Sequence, residues 1–310
     1  MTTLVHARNS TIVRKNIELA LLRAQFGFGS WFAPRATLQR AYDLFCTPLS
    51  SSRQRAQSAT RAGAQERQIA FGDERLAIYT WGDPHTQPYV LLAHGWSSFG
   101  LRFLPWIAPL RAAGYAIVTF DQIAHGMSSG RRTTLPRFAE TLLEVAFHFG
   151  TPAALIGHSL GGAAAMLALA DGLAAKRAVL IAPPADPLAA SHRFGHFVRL
   201  AGYLTRRLFD AYDVTHPERA VRQLRVQHAA PAVGVPSLIV HDLGDREVPW
   251  EEGERYARYL PQSRLLTTDG LGHHRIVDDA GVIRAAIDFL RGDEVGERVV
   301  SSPNLPYGFA

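Results

Sequence analysis

The stretch Ala153-Ala154-Leu155-Ile156-Gly157-His158-Ser159-Leu160-Gly161-Gly162-Ala163 decides how this chain is read. An apolar run ends at Ile156 and a small-residue helical run opens after Ser159, so Gly157 to Gly161 must turn the chain from strand to helix in one sharp bend. The residues two before and two after the serine must lack bulk there, and Gly157 and Gly161 meet that need. The serine is then held at the carboxyl end of a strand and the amino end of a helix. The helix dipole and unpaired N–H groups favour negative charge at that point. A glycine-rich turn with an incidental serine is the plain alternative.

Outward from this turn, strands and helices alternate. Arg67 to Phe71 and Arg75 to Trp81 flank Gly72-Asp73 as a hairpin. Tyr89 to Ala93, Tyr115 to Phe120, Ala153 to Ile156, Arg177 to Ala182 and Ser237 to Val240 are short, nearly all-apolar runs, as in strands covered on both faces by helices. Arg264 to Thr268 is a weaker last strand. Phe138, Leu142, Val145 and Phe149 share one helical face, and Val282, Ala285, Ala286 and Phe289 mark a final helix. The alternation predicts an α/β fold with a mostly parallel sheet. It breaks once, between Pro183 and Pro236, where helical spacing (Phe194, Phe197, Val198, Ala201, Leu204, Leu208) predicts an insertion. Such insertions often shape a pocket at the sheet's carboxyl end; a helix that only packs on the core is the competing reading.

Before the sheet, Ile17, Ala20, Leu21 and Ala24, and then Leu38, Ala41, Tyr42 and Phe45, each mark one helical face. Residues 1 to about 50 are expected to form two helices packing on the main domain. The alternative is contact with a membrane surface through these helices, aided by Phe26, Phe28, Trp31 and Phe32. Residues 50–66 are expected to be a polar linker. Glu18 and Arg23 interrupt the apolar run and no small-residue cleavage site follows, so a secretory signal is not expected and the localisation expected is cytoplasmic.

Composition narrows the function classes. The chain has 310 residues, 47% hydrophobic and 19% charged, which supports a large core and excludes global disorder. A single cysteine, Cys46, excludes an intramolecular disulfide and argues against a cysteine-based zinc site. The net charge of +6 comes from an arginine bias, since Lys15 and Lys176 are the only lysines among 33 basic residues. The basic pairs Arg131-Arg132 and Arg206-Arg207 are not interleaved with aromatics, so no nucleic-acid partner is expected.

A serine hydroxyl needs a base to become a nucleophile. Gly270-Leu271-Gly272-His273-His274 follows the last strand, so His273 is the candidate base and His274 the runner-up. The imidazole needs an acid to orient it. Asp242 and Asp245 both lie in the loop His241 to Pro249 after the strand Ser237 to Val240, with Glu247 close behind. No H-E-x-x-H, P-loop or strand-borne G-x-G-x-x-G is present, so neither metal nor organic cofactor is expected.

These features, in order, resemble the α/β-hydrolase family. The resemblance rests on His94-Gly95-Trp96, Asp121-Gln122-Ile123-Ala124-His125-Gly126-Met127-Ser128, the Gly157–Gly161 nucleophile elbow, the Asp245 loop and Gly272-His273. It covers about residues 67–290. It implies a serine hydrolase with Ser159, Asp245 and His273 as catalytic triad, Asp245 being preferred over Asp242 because Asp242-Leu243-Gly244-Asp245 resembles the family's G-x-x-D before a V-P step, with Asp242 in the glycine's place. It implies an oxyanion hole from the backbone N–H groups of Trp96 and Leu160, and a structural role for His94. Ala124 departs from the family pattern, standing where a glycine is usual. The implied organisation is an N-terminal helical extension and linker (1–66), a hydrolase domain (67–292) with a helical cap insertion at about 183–235, and a tail (293–310). The implied activity is cleavage of a carboxylic ester in a small-molecule acyl substrate, an apolar acyl group being suggested by Phe194, Phe197, Leu200 and Leu204. His192 and His196 lie among these, and Arg193 or Arg199 would instead suit an acidic substrate. Thioesterase, amidase and C–C hydrolase activities share the triad, and a non-catalytic binding protein is the reading from another class.

Overall fold

The computed structural model describes residues 2–215 and 220–299. They divide into two compact units, one of residues 1–46 and 187–222, the other of residues 47–186 and 223–310.

The larger unit is built on one eight-stranded sheet. Its strands are β1 (Gln65–Phe71), β2 (Glu74–Trp81), β3 (Tyr89–Ala93), β4 (Ala116–Phe120), β5 (Ala154–His158), β6 (Arg177–Ile181), β7 (Ser237–Asp242) and β8 (Ser263–Thr268). Their spatial order is β1-β2-β4-β3-β5-β6-β7-β8. β1 and β2 form the antiparallel hairpin, closed by Gly72 at φ +58°, and β2 joins β4 antiparallel; all other pairs are parallel. β3, β4, β5 and β7 are buried along their whole length, which is why they read as unbroken apolar runs. β5 extends two residues past Ile156, so that Gly157 and His158 still pair with Leu180 and Ile181 of β6.

Helices flank this sheet. The helix Leu135–Phe149 starts at Thr134, whose hydroxyl accepts from the Arg137 N–H. The small-residue helix Leu160–Ala170 is buried from Gly161 to Leu169 and packs on β5 and β6. Asp279 caps the last helix, Ala280–Arg291, by accepting from Val282 N, and Gly292 ends it at φ +112°.

Two expectations for this unit are corrected. The polar stretch 50–66 is not all linker: Ser51–Ser58 is a helix with Ser52 and Ala56 buried. Arg53 on that helix donates to the carbonyls of Gly126, Ser128 and Gly130. Its polarity suggests a linker, but Arg53 places its charged group on backbone acceptors. At the other end, Glu297, in the stretch 293–310 expected to be tail, forms reciprocal bonds with Leu265 of the sheet edge, while residues 300–310 of that stretch lie outside the described residues.

The smaller unit joins the N-terminal helices Thr2–Phe32 and Pro34–Phe45 to the inserted helices Pro187–Val198, Gly202–Thr205 and Asp210–Thr215. Its core contains Phe26, Ala41, Val198, Leu200, Leu204 and Leu208. Phe45 packs edge-on against Phe194 and Phe209. The face Leu38, Ala41, Tyr42, Phe45 does pack inward. The face Ile17, Ala20, Leu21, Ala24 does not: all four are exposed, and the packed side of that helix carries Leu22, Phe26 and Ser30. The helix is apolar on both sides, so spacing alone did not say which side is covered. Residues 223–235, expected in the insertion, belong to the sheet unit, where Val226 N donates to Ala185 O and Arg225 pairs with Asp186 at 2.8 Å.

Candidate active site

Ser159 stands between the last residue of β5 and the first of the helix Leu160–Ala170, at φ +53° and ψ −126°. A non-glycine residue in that region costs on the order of 1–3 kcal/mol and persists only where its surroundings enforce it. Here they do. Ser159 N donates to Ile181 O of β6 at 2.8 Å, and its carbonyl accepts from Gly162 and Ala163. A Cβ on Gly157 would stand 2.5 Å from Gly161 O, and one on Gly161 would overlap the carbonyls of Ala93 and His94. The elbow is therefore closed by backbone packed on backbone.

The His94-Gly95-Trp96 loop lies against this turn, since a Cβ on Gly95 would come 2.8 Å from Ser159 Cβ. Trp96 N–H has no acceptor among the described residues, and Leu160 N–H, at the first helical position, precedes the Gly162 and Ala163 groups that bond back to Ser159 O. Leu160 directly follows Ser159, and Trp96 follows Gly95, the residue that lies against it.

His273, buried in the short turn Gly272–Arg275, contacts both partners. Its Nε2 is 2.9 Å from Ser159 Oγ and its Nδ1 is 2.7 Å from Asp245 Oδ2. With the carboxylate accepting the Nδ1 proton, Nε2 presents a lone pair to the serine hydroxyl, which donates to it. Asp245 also accepts from Glu247 N (2.8 Å) and Val248 N (3.0 Å) through Oδ1. Burial opposes its charge, but hydrogen bonds from His241, His273 and Val248 outweigh burial and hold the carboxyl well below the ordinary carboxylate range.

The runners-up fall elsewhere. Asp242 Oδ2 accepts from Thr268 Oγ1 and Leu271 N, and Oδ1 from Gly244 N. It ties the loop that carries His273 instead of touching the imidazole. His274 is exposed and pairs with Glu247 at 2.8 Å. His94 is buried, donates from Nδ1 to Gly95 O and accepts at Nε2 from Gln122 N, which makes it a loop brace.

Four supports of the site were missed in the sequence reading. His158, one residue before Ser159, donates from Nε2 to the carbonyl of His273 at 2.9 Å. His125 accepts from Ser97 N, beside Trp96. Arg102 donates to Asp278 and to His274 O, and Trp106 donates to Val277 O. The segment Leu271–Asp278 is thus held by three of them, His158, Arg102 and Trp106. The glycine-like signature of the turn hid His158, because position x in G-x-S-x-G accepts many residues. Among the apolar residues named for substrate contact, Leu200 and Leu204 are used up in the smaller unit's own core. Among the described residues no three His, Cys, Asp or Glu side chains gather as a metal group.

Several known proteins resemble this chain. The 30 kDa subunit of magnesium chelatase from Rhodobacter capsulatus is 29% identical, with 67% of this chain and 89% of that protein covered. A monoacylglycerol lipase from Mycolicibacterium smegmatis is 33% identical over 29% of this chain and 36% of its own length. Among solved structures, a thermophilic esterase from Thermogutta terrifontis superposes with a TM-score of 0.56 at 22% identity, over 74% of this chain and 98% of that one. A thioesterase domain from the curacin biosynthetic pathway superposes at 0.55 and 20%, over 74% and 99%. Residues 90–286 match the alpha/beta hydrolase family, which spans the elbow, the Asp245 loop and His273, and the chain belongs to that family.

Proposed function

We propose that this protein is a serine hydrolase that cleaves carboxylic esters through an acyl-enzyme. The observation that carries the reading is the continuous hydrogen-bonded chain Ser159–His273–Asp245, at 2.9 and 2.7 Å. Ser159 Oγ attacks the acyl carbonyl while His273 Nε2 takes its proton. The Trp96 and Leu160 N–H groups receive the oxyanion, and such donors are worth about 3–4 kcal/mol each. His273 then protonates the leaving alkoxide, which departs as the alcohol. Water, deprotonated by His273, attacks the acyl-enzyme, and Ser159 regains its proton as the acid leaves. Asp245 holds the imidazole tautomer and faces the imidazolium when it forms.

Esterase and lipase relatives support the ester reading, although the same triad runs thioester, amide and C–C cleavage. An apolar acyl group is the proposed preference, and Phe197 is the exposed one of the four apolar residues named for it. The test is a panel of p-nitrophenyl esters, thioesters, amides and lactones, with Ser159→Ala alongside. Turnover of esters by the wild type and none by the variant supports the proposal; full activity in Ser159→Ala overturns it.

A second reading is a non-catalytic role in a larger assembly. The magnesium-chelatase subunit supports it, because metal chelation is not acyl transfer. A fluorophosphonate probe separates the two: labelling of folded protein at Ser159 favours the enzyme, and no labelling favours the binding role.

A further inference from the structure

The long first helix has a second apolar face that none of the described residues covers. At 100° per residue, Ile17, Leu21, Ala24, Phe28, Trp31 and Phe32 fall within an arc of about 100°. All six are exposed: Ile17 at 55%, Leu21 at 59%, Phe28 at 70%, Trp31 at 77% and Phe32 at 85%, with Ala24 exposed beside them. The arc lies opposite Leu22, Phe26 and Ser30, which face the unit's own core. Single exposed apolar residues are ordinary, but a continuous stripe ending in three aromatics marks a contact surface. It continues onto Tyr203, whose ring is 6.5 Å from that of Trp31.

Charge says what the contact is. Residues 1–46 and 187–222 contain twelve Lys and Arg against five Asp and Glu, a formal +7. The chain as a whole is +6, so the remainder is −1. The net positive charge of the chain is thus concentrated in the unit that bears the stripe. Arg35, Arg199, Arg206 and Arg207 there are exposed.

We propose that this helix lies flat on an anionic lipid surface, with the stripe in the headgroup–acyl boundary and the unit's arginines on lipid phosphates. Aromatic residues suit that boundary, and basic residues near it add electrostatic attraction. Among the described residues no helix is long and apolar enough to cross a membrane, which fits a helix that rests on the surface. A second copy is disfavoured as occupant, because two surfaces of +7 repel.

The experiment is co-sedimentation of the full chain with vesicles of neutral phosphatidylcholine and of phosphatidylcholine with phosphatidylglycerol, alongside sedimentation velocity without lipid. The triple variant Phe28→Ser, Trp31→Ser, Phe32→Ser removes exposed groups only, so far-UV circular dichroism should match the wild type. The variant Arg35→Glu, Arg206→Glu tests charge separately. Expected is binding to the anionic vesicles, weakened about tenfold or more by either variant. It should also weaken when salt shortens the Debye length from ~10 to ~3 Å. Equal binding to neutral vesicles, no binding, or binding that both folded variants retain overturns the proposal. So does a wild-type dimer that the triple variant turns into a monomer, which would assign the stripe to a second copy.

Discussion

His158 donates from Nε2 to the backbone carbonyl of its neighbour in space, His273, at 2.9 Å. Burial, with repulsion from His273, pushes the His158 pKa down to about 3, so the ring is neutral, and a carbonyl acceptor fixes its proton on Nε2. The ring precedes the serine in sequence and holds the base in space, coupling the two ends of the Ser159–His273 contact.

His158→Ala should lower kcat on a soluble p-nitrophenyl ester by about tenfold to a hundredfold, because a displacement near 1 Å at a reacting contact has that size of effect. KM should move little. His158→Gln, which can offer an amide N–H, should recover part of the loss. Steady-state kinetics of the three proteins check this; equal kcat for wild type and His158→Ala would sink it.

The two aspartates should separate cleanly. Asp245→Asn should reduce kcat by about 10³–10⁴-fold, because the wrong imidazole tautomer is then held, and should lower the Tm as well, because the hydrogen bonds that favour its carboxylate are lost. Asp242→Asn should act through the loop it ties at Leu271 and Thr268, with a smaller activity loss and a lower Tm. Kinetics run beside thermal melts distinguish the two: the kcat loss relative to the Tm loss is far larger for Asp245→Asn.

Gly161→Ala places a methyl group onto the carbonyls of Ala93 and His94, both backbone atoms with little freedom to shift. Overpacking of this kind costs about 1–3 kcal/mol, and more where backbone must move. The expected result is a clear drop in urea midpoint together with lost activity.

Acid should destabilise the fold before any carboxylate ordinarily titrates. Burial lowers His125 to about 4 and His158 to about 3, and drives His94 well below its usual range. Each is neutral when folded and takes up a proton near pH 6.5 when unfolded. The stability they contribute is therefore complete above pH 6.5 and declines as pH falls toward 4, by up to about 1.4 kcal/mol per pH unit per histidine. Asp121, raised by burial, works in the opposite sense and offsets part of this. Denaturation at pH 7, 6, 5 and 4 measures the slope, and His125→Gln should make it shallower. A flat profile across that window would contradict the assignment.

Much of the site was legible because its constraints are local. Gly157 and Gly161 announce a bend that only residues without a Cβ survive, and the apolar runs β3 to β7 announce burial on both sheet faces. The order Ser159, Asp245, His273 follows from which loops leave the sheet at one end. Ala124, at φ +68°, stands where the family pattern has a glycine, and the turn keeps its form: Asp121 accepts from Gly100 N, Met127 N and the Tyr79 hydroxyl.

What the sequence by itself determined, then, is the sheet, the elbow and the residues brought to it, since periodicity, bulk and strand order act over a few residues at a time. Asp245, preferred over Asp242 from the loop pattern, is the one that meets His273. Two things were decided only by the tertiary structure. Arg53 serves three carbonyls more than seventy residues away, turning a polar stretch into a packed helix. The first helix turns Phe26 inward and leaves Phe28, Trp31 and Phe32 outward. In each case the chemistry of the residue allowed more than one partner, and the choice fell to whichever distant segment the fold set beside it.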